Sequence, residues 1–181
     1  SHASSSFLRQ ASIEITGKQI DKIPLLQQHL RPGTKVFVAL IDASQRDVQI
    51  EACAALRGAG FEPIPHIPAR FVLDANDLDR RLEALTQRAT VTTVLALGGG
   101  APEPLGKFHC ALQLMETGAF QKPGITSIGI AGHPEGNPDP DQYPDGATHY
   151  DFRLRRDYAL PGTYTIIVSV VDNGLLVGTD T

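Results

Sequence analysis

Residues 127–138 read Ser-Ile-Gly-Ile-Ala-Gly-His-Pro-Glu-Gly-Asn-Pro, a short apolar run that ends abruptly in polar residues. The apolar half, within residues 125–131, is continuous rather than alternating, and therefore predicts a strand buried inside a sheet. His133, Glu135 and Asn137 follow directly, and a core strand has no structural need for such a group. The stretch predicts that a buried strand delivers an imidazole, a carboxylate and a carboxamide to one edge of a sheet.

The same sequence of strand and helix recurs upstream. Strands are predicted at residues 11–16, 35–41, 61–67 and 92–97, and helices at residues 18–30, 44–59, 74–89 and 108–120. Strands that alternate with helices require a parallel sheet with right-handed connections. In such sheets the ligand lies at the carboxyl ends of the strands. Glu14, His66 and the glycines at 98–100 lie at or near those ends, so we expect them to share one mouth with His133 and Asn137.

Punctuating residues refine these elements. Ser44 with Asp47 three residues later approximates a capping box, and Gly60 is placed to end the same helix in the left-handed region. Pro63, Pro65 and Pro68 remove donors from the third strand, which predicts a strand that is short and irregular at its end.

The C-terminal part has a different character. Residues 139–146 form a loop rich in Pro, Asp and Gly, residues 164–171 alternate as a strand does, and residues 172–174 (Asp-Asn-Gly) indicate a hairpin. We therefore expect a disordered or tag-like segment at 1–10, a βα-repeat domain at 11–141 and a β-rich tail at 142–181. Residues 161–174 also resemble the closing hairpin of PKD-type immunoglobulin-like modules, which are extracellular and non-catalytic.

Composition excludes several classes of function. The net charge of −4 and the pI near 5.8 give no electrostatic footprint for nucleic acid. No apolar run approaches the roughly 20 residues that a membrane span needs. Cys53 and Cys110 both fall in predicted helices, which argues against a disulfide framework and favours a reducing compartment. We expect a cytoplasmic protein that binds neither nucleic acid nor membrane.

Five segments together resemble the methylenetetrahydrofolate reductase family, whose members are flavin-dependent (β/α)8 barrels. The segments are residues 12–14 (SIE), 65–66 (PH), 97–102 (LGGGAP), 111–114 (ALQL) and 131–138 (AGHPEGNP), in the family's order and spacing. The resemblance implies an α/β fold, here a partial TIM barrel of about five βα units followed by the β-rich tail. The last segment is the most specific of the five.

The resemblance also implies roles for individual residues. Glu14 falls on the family's catalytic acid, which protonates the folate substrate. The positions that fall on the flavin site are His66, Gly99, Ala111, His133 and Asn137. His133 and Asn137 stand where the family usually has tyrosine and histidine. The implied cofactor is FAD, with NAD(P)H as co-substrate and a folate-type small molecule as substrate in one-carbon metabolism.

The chain departs from the family in three respects, one of which is that residues 15–17 (Ile-Thr-Gly) follow Glu14 where the family usually has Phe-Phe-Pro-Pro. The glycines at 98–100 replace the usual Arg-Gly-Asp, so the aspartate expected near the flavin is glycine at Gly100. In addition, five units fall short of the roughly 250 residues of a closed barrel. Open sheet edges and an uncovered apolar face favour pairing between copies, and we therefore expect a homo-oligomer.

Two other functions remain open at this stage. One is a non-catalytic binding protein, a truncated barrel with a β-hairpin interaction tail. The other is a metal-dependent hydrolase that uses His133 with the aspartates at 139, 141 and 145, whose oxygen ligands loosely resemble a calcium loop.

Overall fold

A computed structural model describes residues 12–130 and the backbone of residues 168–171 and 177–180. The first range forms a five-stranded sheet in the order β1-β2-β3-β4-β5, with every neighbouring pair parallel. The strands are β1 (Ile13–Thr16), β2 (Lys35–Ala39), β3 (Glu62–Pro68), β4 (Thr93–Leu97) and β5 (Ser127–Ile130). The α-helices are α1 (Ile23–His29), α2 (Arg46–Gly58), α3 (Ala75–Ala89) and α4 (Ala111–Glu116).

The strand order decides which side of the sheet the helices occupy. Each strand pairs with the next along the chain, so every crossover runs in the same direction. Right-handed connections then place all the helices on one face, as in a (β/α)8 barrel, whereas a doubly wound sheet has helices on both faces. The fold class predicted from the sequence is confirmed: the protein is α/β, with a partial barrel of parallel strands.

The register separates the strand residues into two sets. Val36, Val38, Ile67, Val94 and Ala96 belong to one apolar core with the helices, and we name this side the covered face. The alternate residues point to the other side, which we name the open face. Residues of the open face include Glu14, Phe37, Ile64, His66, Leu95, Leu97 and Gly129.

The covered face contains the core of the protein. The leucines of α3 at 78, 82 and 85 are fully buried there, as are Leu56 from α2 and Phe61. Their spacing of three and four residues is the stripe that the sequence predicts for a helix packed on a sheet. Ile64 and Leu95 of the open face are also buried, but they lie outside this core cluster.

Two predictions about the first two helices need correction, and one is confirmed. The helix predicted at 18–30 is a 3-10 segment, Gly17–Lys22, followed by α1, because Gln19 has non-helical backbone angles and Pro24 favours a helix start near it. The capping box of Ser44 and Asp47 does not form: Asp42 accepts from the Ser44 amide and caps the 3-10 turn that precedes α2. Gly60 does adopt a positive φ of 88° just after α2.

The helix predicted at 108–120 is much shorter in the structure. It is α4, Ala111–Glu116, followed by a 3-10 turn, Ala119–Gln121. Gly118 has a left-handed φ of 73° and separates the two. The apolar spacing was correct, but this glycine and the short connection to β5 end the helix early.

The third strand is longer than its prolines predicted. β3 runs for seven residues and pairs with β2 over residues 62–65 and with β4 over residues 66–68. The first half of β3 therefore pairs with β2 and the second half with β4, so no part of the strand forms backbone hydrogen-bond ladders with both neighbours. A strand of this kind tolerates residues that lack an N–H, which is why the prediction of a short strand is wrong.

The tail contains one described feature. β6 (Val168–Val171) and β7 (Val177–Asp180) pair antiparallel in a separate two-stranded sheet. This agrees with the hairpin expected around residues 172–174. The expected boundaries at residues 10 and 141 lie outside the described residues. Among those residues, the helices are too short or too polar to cross a membrane.

Candidate functional site

The open face brings together two of the predicted site residues. Glu14 lies in β1 and His66 in β3, and Glu14 Oε2 approaches His66 Nε2 to 3.5 Å. They reach each other across β2, where Phe37 is in register with Glu14 and its ring meets the imidazole edge-on at 6.0 Å between centroids. The sequence predicted this convergence only through the rule that parallel strands end at one edge.

The contact is a close approach rather than a hydrogen bond. His66 Nε2 is buried and has no hydrogen-bond partner among the described residues. The imidazole is 12% exposed and the Glu14 carboxyl 60%. A ligand that enters from the open face can therefore reach the carboxyl directly, whereas the imidazole nitrogen lies deeper and lacks a partner.

Burial shifts the pKa of both groups toward the neutral form. Desolvation lowers the pKa of His66 to about 4, so the imidazole is neutral near pH 7. Desolvation also raises the pKa of the Glu14 carboxyl. The site therefore combines a neutral imidazole with a carboxyl whose proton is held more tightly than usual, which is the direction that general acid catalysis requires.

A cleft opens at the carboxyl ends of β2, β3 and β4. Its volume is about 780 Å³, within the range of roughly 300–1,000 Å³ typical of small-molecule sites. Pro68 and Leu97 connect it to the open face, since each follows a face residue of its strand by two positions. The walls come from the loops that follow the three strands: residues 40–43, 68–71 and 97–105.

Arg70 holds one wall of this cleft. Its Nη1 donates to the carbonyls of Ala101 and Pro102 at 2.6 and 2.7 Å, and its Nε donates to the His109 carbonyl at 3.3 Å. The Arg70 amide donates to the Gly98 carbonyl, and the Arg70 carbonyl accepts from the Leu105 amide. One side chain thus satisfies carbonyls of a loop that has little regular structure of its own.

Gly99 lies in the wall of the cleft, and its expected contact with a flavin stays a prediction. Its φ is +90°, and a Cβ at this position would meet the Pro68 Cβ at 2.8 Å. Both the backbone conformation and the packing therefore require glycine. The requirement is structural and holds with or without a ligand.

Ala111 does begin a helix, α4, as predicted, but its side chain is fully buried in the core. Any part it plays in holding a cofactor must therefore come from the helix backbone. Cys110 precedes it as the N-cap, is buried, and has a thiol pKa raised by that burial. A buried thiol of this kind behaves as a small apolar residue.

His133 and Asn137, the remaining predicted cofactor contacts, lie outside the described residues, as do Glu135 and the aspartates of the proposed metal loop. Among the residues whose side chains are described, His, Cys, Asp and Glu form no group of three that could hold a metal ion.

Sequence reasoning missed two buried polar residues behind the site. Gln49 from α2 and Arg81 from α3 both donate to the His66 carbonyl, at 3.0 and 3.1 Å. A signal for Arg81 was present, because it follows Leu78 by three residues and lies within the apolar stripe of α3. A charged residue at such a position indicates a buried polar role.

A comparison with known protein families finds no match for this chain. The geometry of the open face and the cleft, together with the resemblance of short segments, is what indicates a function for this protein.

Proposed function

We propose that the protein is a flavin-dependent oxidoreductase of the methylenetetrahydrofolate reductase type, acting in cytoplasmic one-carbon metabolism. One observation carries the proposal: Glu14 and His66, from strands separated by β2, lie 3.5 Å apart on the face that the helices leave open. These are the residues for which the resemblance implies the catalytic acid and a flavin contact. Their proximity was not needed to build the sheet.

Glu14 acts as the proton donor in this proposal. Its carboxyl is more than half exposed, so a substrate can contact it, and desolvation raises its pKa toward the range useful for a general acid. It donates a proton to the methylene-bridge nitrogen of the folate-type substrate. His66 stays neutral and keeps a buried nitrogen available for a hydrogen bond to the bound ligands.

The cleft fits the ring system of FAD in part. Its volume suits a large aromatic ligand and its lining is mainly apolar, with Gly99 and Gly100 in its wall. The loop at Gly99 would hold the ring system in the cleft, and His66, which lies on the adjoining open face and is not one of the lining residues, would contact it from there. When bound, FAD supplies hydride transfer, with NAD(P)H as the reductant, and the protein supplies orientation and proton control.

The charge around the cleft favours a second candidate function. Arg70 is the cation among the described lining residues, and its guanidinium already serves loop carbonyls, while Asp42 and Glu103 contribute negative charge. A diphosphate group would meet no positive excess there. This supports a non-catalytic protein that binds a less charged apolar ligand at the same cleft.

Flavin titration separates the two functions. We expect the purified protein to be yellow, or to take up FAD with quenching of flavin fluorescence, and to oxidise NAD(P)H with a methylene-folate acceptor. Glu14→Gln should keep FAD affinity and lower turnover about 10²–10⁴-fold, the usual contribution of a general acid. Glu51→Gln, an exposed change on α2, is the matched control and should behave as wild type.

A colourless protein that takes up no FAD would refute the oxidoreductase. If the same protein bound apolar aromatic ligands with an affinity that Glu14→Gln leaves unchanged, the binding function would replace it.

We also propose a homo-oligomer. β1 pairs with β2 on one side alone within the described residues, so its other edge is free to accept a strand from a second copy. Sedimentation should give a mass above that of one chain at micromolar concentration, and a monomer at all concentrations would contradict this.

A further inference from the structure

Gln49 and Arg81 form a buried polar pair directly behind the open-face site. Arg81 Nη2 donates to Gln49 Oε1 at 2.6 Å, and both side chains donate to the His66 carbonyl. Gln49 Nε2 also donates to the Val38 carbonyl at 2.8 Å. A single amide therefore connects β2 to β3 at the point where their register ends, at Val38 and Pro65.

The pair is costly for a purely structural role. Arg81 is 5% exposed, and within the described residues its Nε and Nη1 have no hydrogen-bond partner. The nearby carboxylate of Asp77 is engaged by Arg46, whose Nη1 donates to both oxygens at 2.9 and 3.0 Å. Desolvation, reinforced by the charge of Arg46, lowers the pKa of Arg81 to about 9. An apolar residue here would continue the stripe of α3 without a buried charge.

The location of the pair connects it with the open-face site. No β2 residue is in register with His66, and its carbonyl accepts from side chains of α2 and α3. Both donors come from helices of the covered face, whereas the imidazole extends to the open face. Because both groups belong to His66, fixing the carbonyl restricts the orientation of the imidazole.

We propose that Gln49 and Arg81 are positioning residues that hold the His66 imidazole against Glu14 from the opposite face of the sheet. Their contribution to catalysis rests on the proposed function, but their effect on His66 does not. Among the described residues, the charged groups that bear on His66 are Glu14 on the open face and Arg81 at its carbonyl. Loss of the pair should loosen the strand, admit water to the imidazole and uncouple it from Glu14.

NMR titration of His66 in the full-length protein tests this directly. In the wild-type protein, Glu14→Gln should shift the His66 pKa because the two groups are in contact. In an Arg81→Met protein we expect the His66 pKa to rise by about one unit or more toward its ordinary value, since desolvation is relieved and a positive charge is removed. The shift caused by Glu14→Gln should then disappear.

Gln49→Met removes the contacts of Gln49 with the His66 and Val38 carbonyls without removing a charge, and it decides the question if Arg81→Met fails to fold. Arg88→Met, an exposed change on the same helix, should leave the His66 pKa unchanged. A folded Arg81→Met or Gln49→Met protein with wild-type His66 titration and intact coupling to Glu14 would overturn the inference.

FAD binding provides a separate readout. If the wild-type protein binds FAD, both substitutions should weaken binding by about tenfold, whereas Arg88→Met should not. If it binds no FAD, the proposed function fails, and the titration of His66 still decides whether the pair positions the imidazole.

Discussion

The two faces of the five-stranded sheet have opposite character. On the covered face, the strand residues Val36, Val38, Val94 and Ala96 are completely buried against helices. On the open face, the equivalent rows contain Glu14, Phe37 and His66 beside apolar residues, and no described helix belongs to that side. The covered face accounts for stability, because apolar burial is the main driving force of folding. The open face contains ionisable groups that stability does not require.

The buried polar residues of the covered face are connected with the open face. Gln49 and Arg81 are the buried polar residues among the described side chains, and both contact the carbonyl of an open-face residue. Polar residues on both sides of the sheet therefore contact the same residue, His66. If the two faces have these separate roles, substitutions on the covered face should mainly change stability and substitutions on the open face should mainly change the site.

Leu82→Ala should produce the largest loss of stability. Leu82 is fully buried in the core of the covered face, and removing a buried leucine side chain costs about 2–5 kcal/mol. Leu25→Ala, at a leucine that is 52% exposed on α1, should change the free energy of unfolding by less than about 0.5 kcal/mol. Urea unfolding of both proteins gives the comparison, and equal effects would mean that the covered face is not the core.

His66 should make the protein sensitive to acid. Its folded-state pKa is about 4 against an ordinary 6.5, so the unfolded chain binds the proton first as the pH falls. The stabilising contribution is present above pH 6.5 and is lost between pH 6.5 and about 4, amounting to about 3 kcal/mol. The raised pKa of Glu14 acts in the opposite direction, but its carboxyl is more exposed.

Unfolding free energies measured across this pH range test the prediction. His66→Leu should flatten the profile, whereas His29→Leu, at an exposed histidine of α1, should leave it unchanged. A wild-type profile that is flat between pH 6.5 and 4 would show that the imidazole is not desolvated.

Gly99→Ala should destabilise more than Gly33→Ala. Both glycines have a positive φ, +90° and +80°, which costs an alanine about 1–2 kcal/mol. Only Gly99 has a neighbour, the Pro68 Cβ at 2.8 Å, while the Cβ at Gly33 would meet nothing within 4 Å. The difference between the two variants, about 1–3 kcal/mol for overpacking, measures how tightly the wall of the cleft is packed. Thermal unfolding measures this difference, and equal losses of stability for Gly99→Ala and Gly33→Ala would argue against the contact between position 99 and Pro68.

Phe37→Leu should have the smallest effect on stability and a clear effect on the site. The ring contacts the His66 imidazole edge-on, and an aromatic pair of this kind contributes about 0.5–1.5 kcal/mol. Its loss should also move the His66 pKa upward, because water gains access to the imidazole. Phe61→Leu, in the covered core, should lower stability without moving that pKa. If both variants shift it equally, the two faces are not independent.

Much of the fold followed from periodicity. The alternation of buried runs with helical stripes was sufficient to place five parallel strands, and the leucines at 78, 82 and 85 identified α3 with its correct face. Errors came where local geometry decided the outcome. Gln19 and Gly118 interrupt predicted helices through their backbone angles, and β3 tolerates its prolines because it changes partner, which requires knowledge of the whole sheet.

The site could be predicted less completely. Glu14 and His66 were identified from short segments that resemble a family, and the parallel sheet then implied that they meet. The place of Arg81 in the stripe of α3 indicates its burial, but the contacts that Gln49, Arg81 and Arg70 make with main-chain carbonyls could not be identified in this way. A carbonyl is present at every residue, so sequence contains no pattern that marks which one will be left without a ladder partner.

The sequence by itself determined the class of fold and the placement of apolar residues, because both depend on the spacing of side chains along each element. The tertiary structure decided that Glu14 and His66 lie 3.5 Å apart, that their pKa values shift toward the neutral forms, and that an arginine is buried behind them. Distance and desolvation depend on which elements become neighbours in space, and strand order and register, rather than spacing along the chain, set those neighbours.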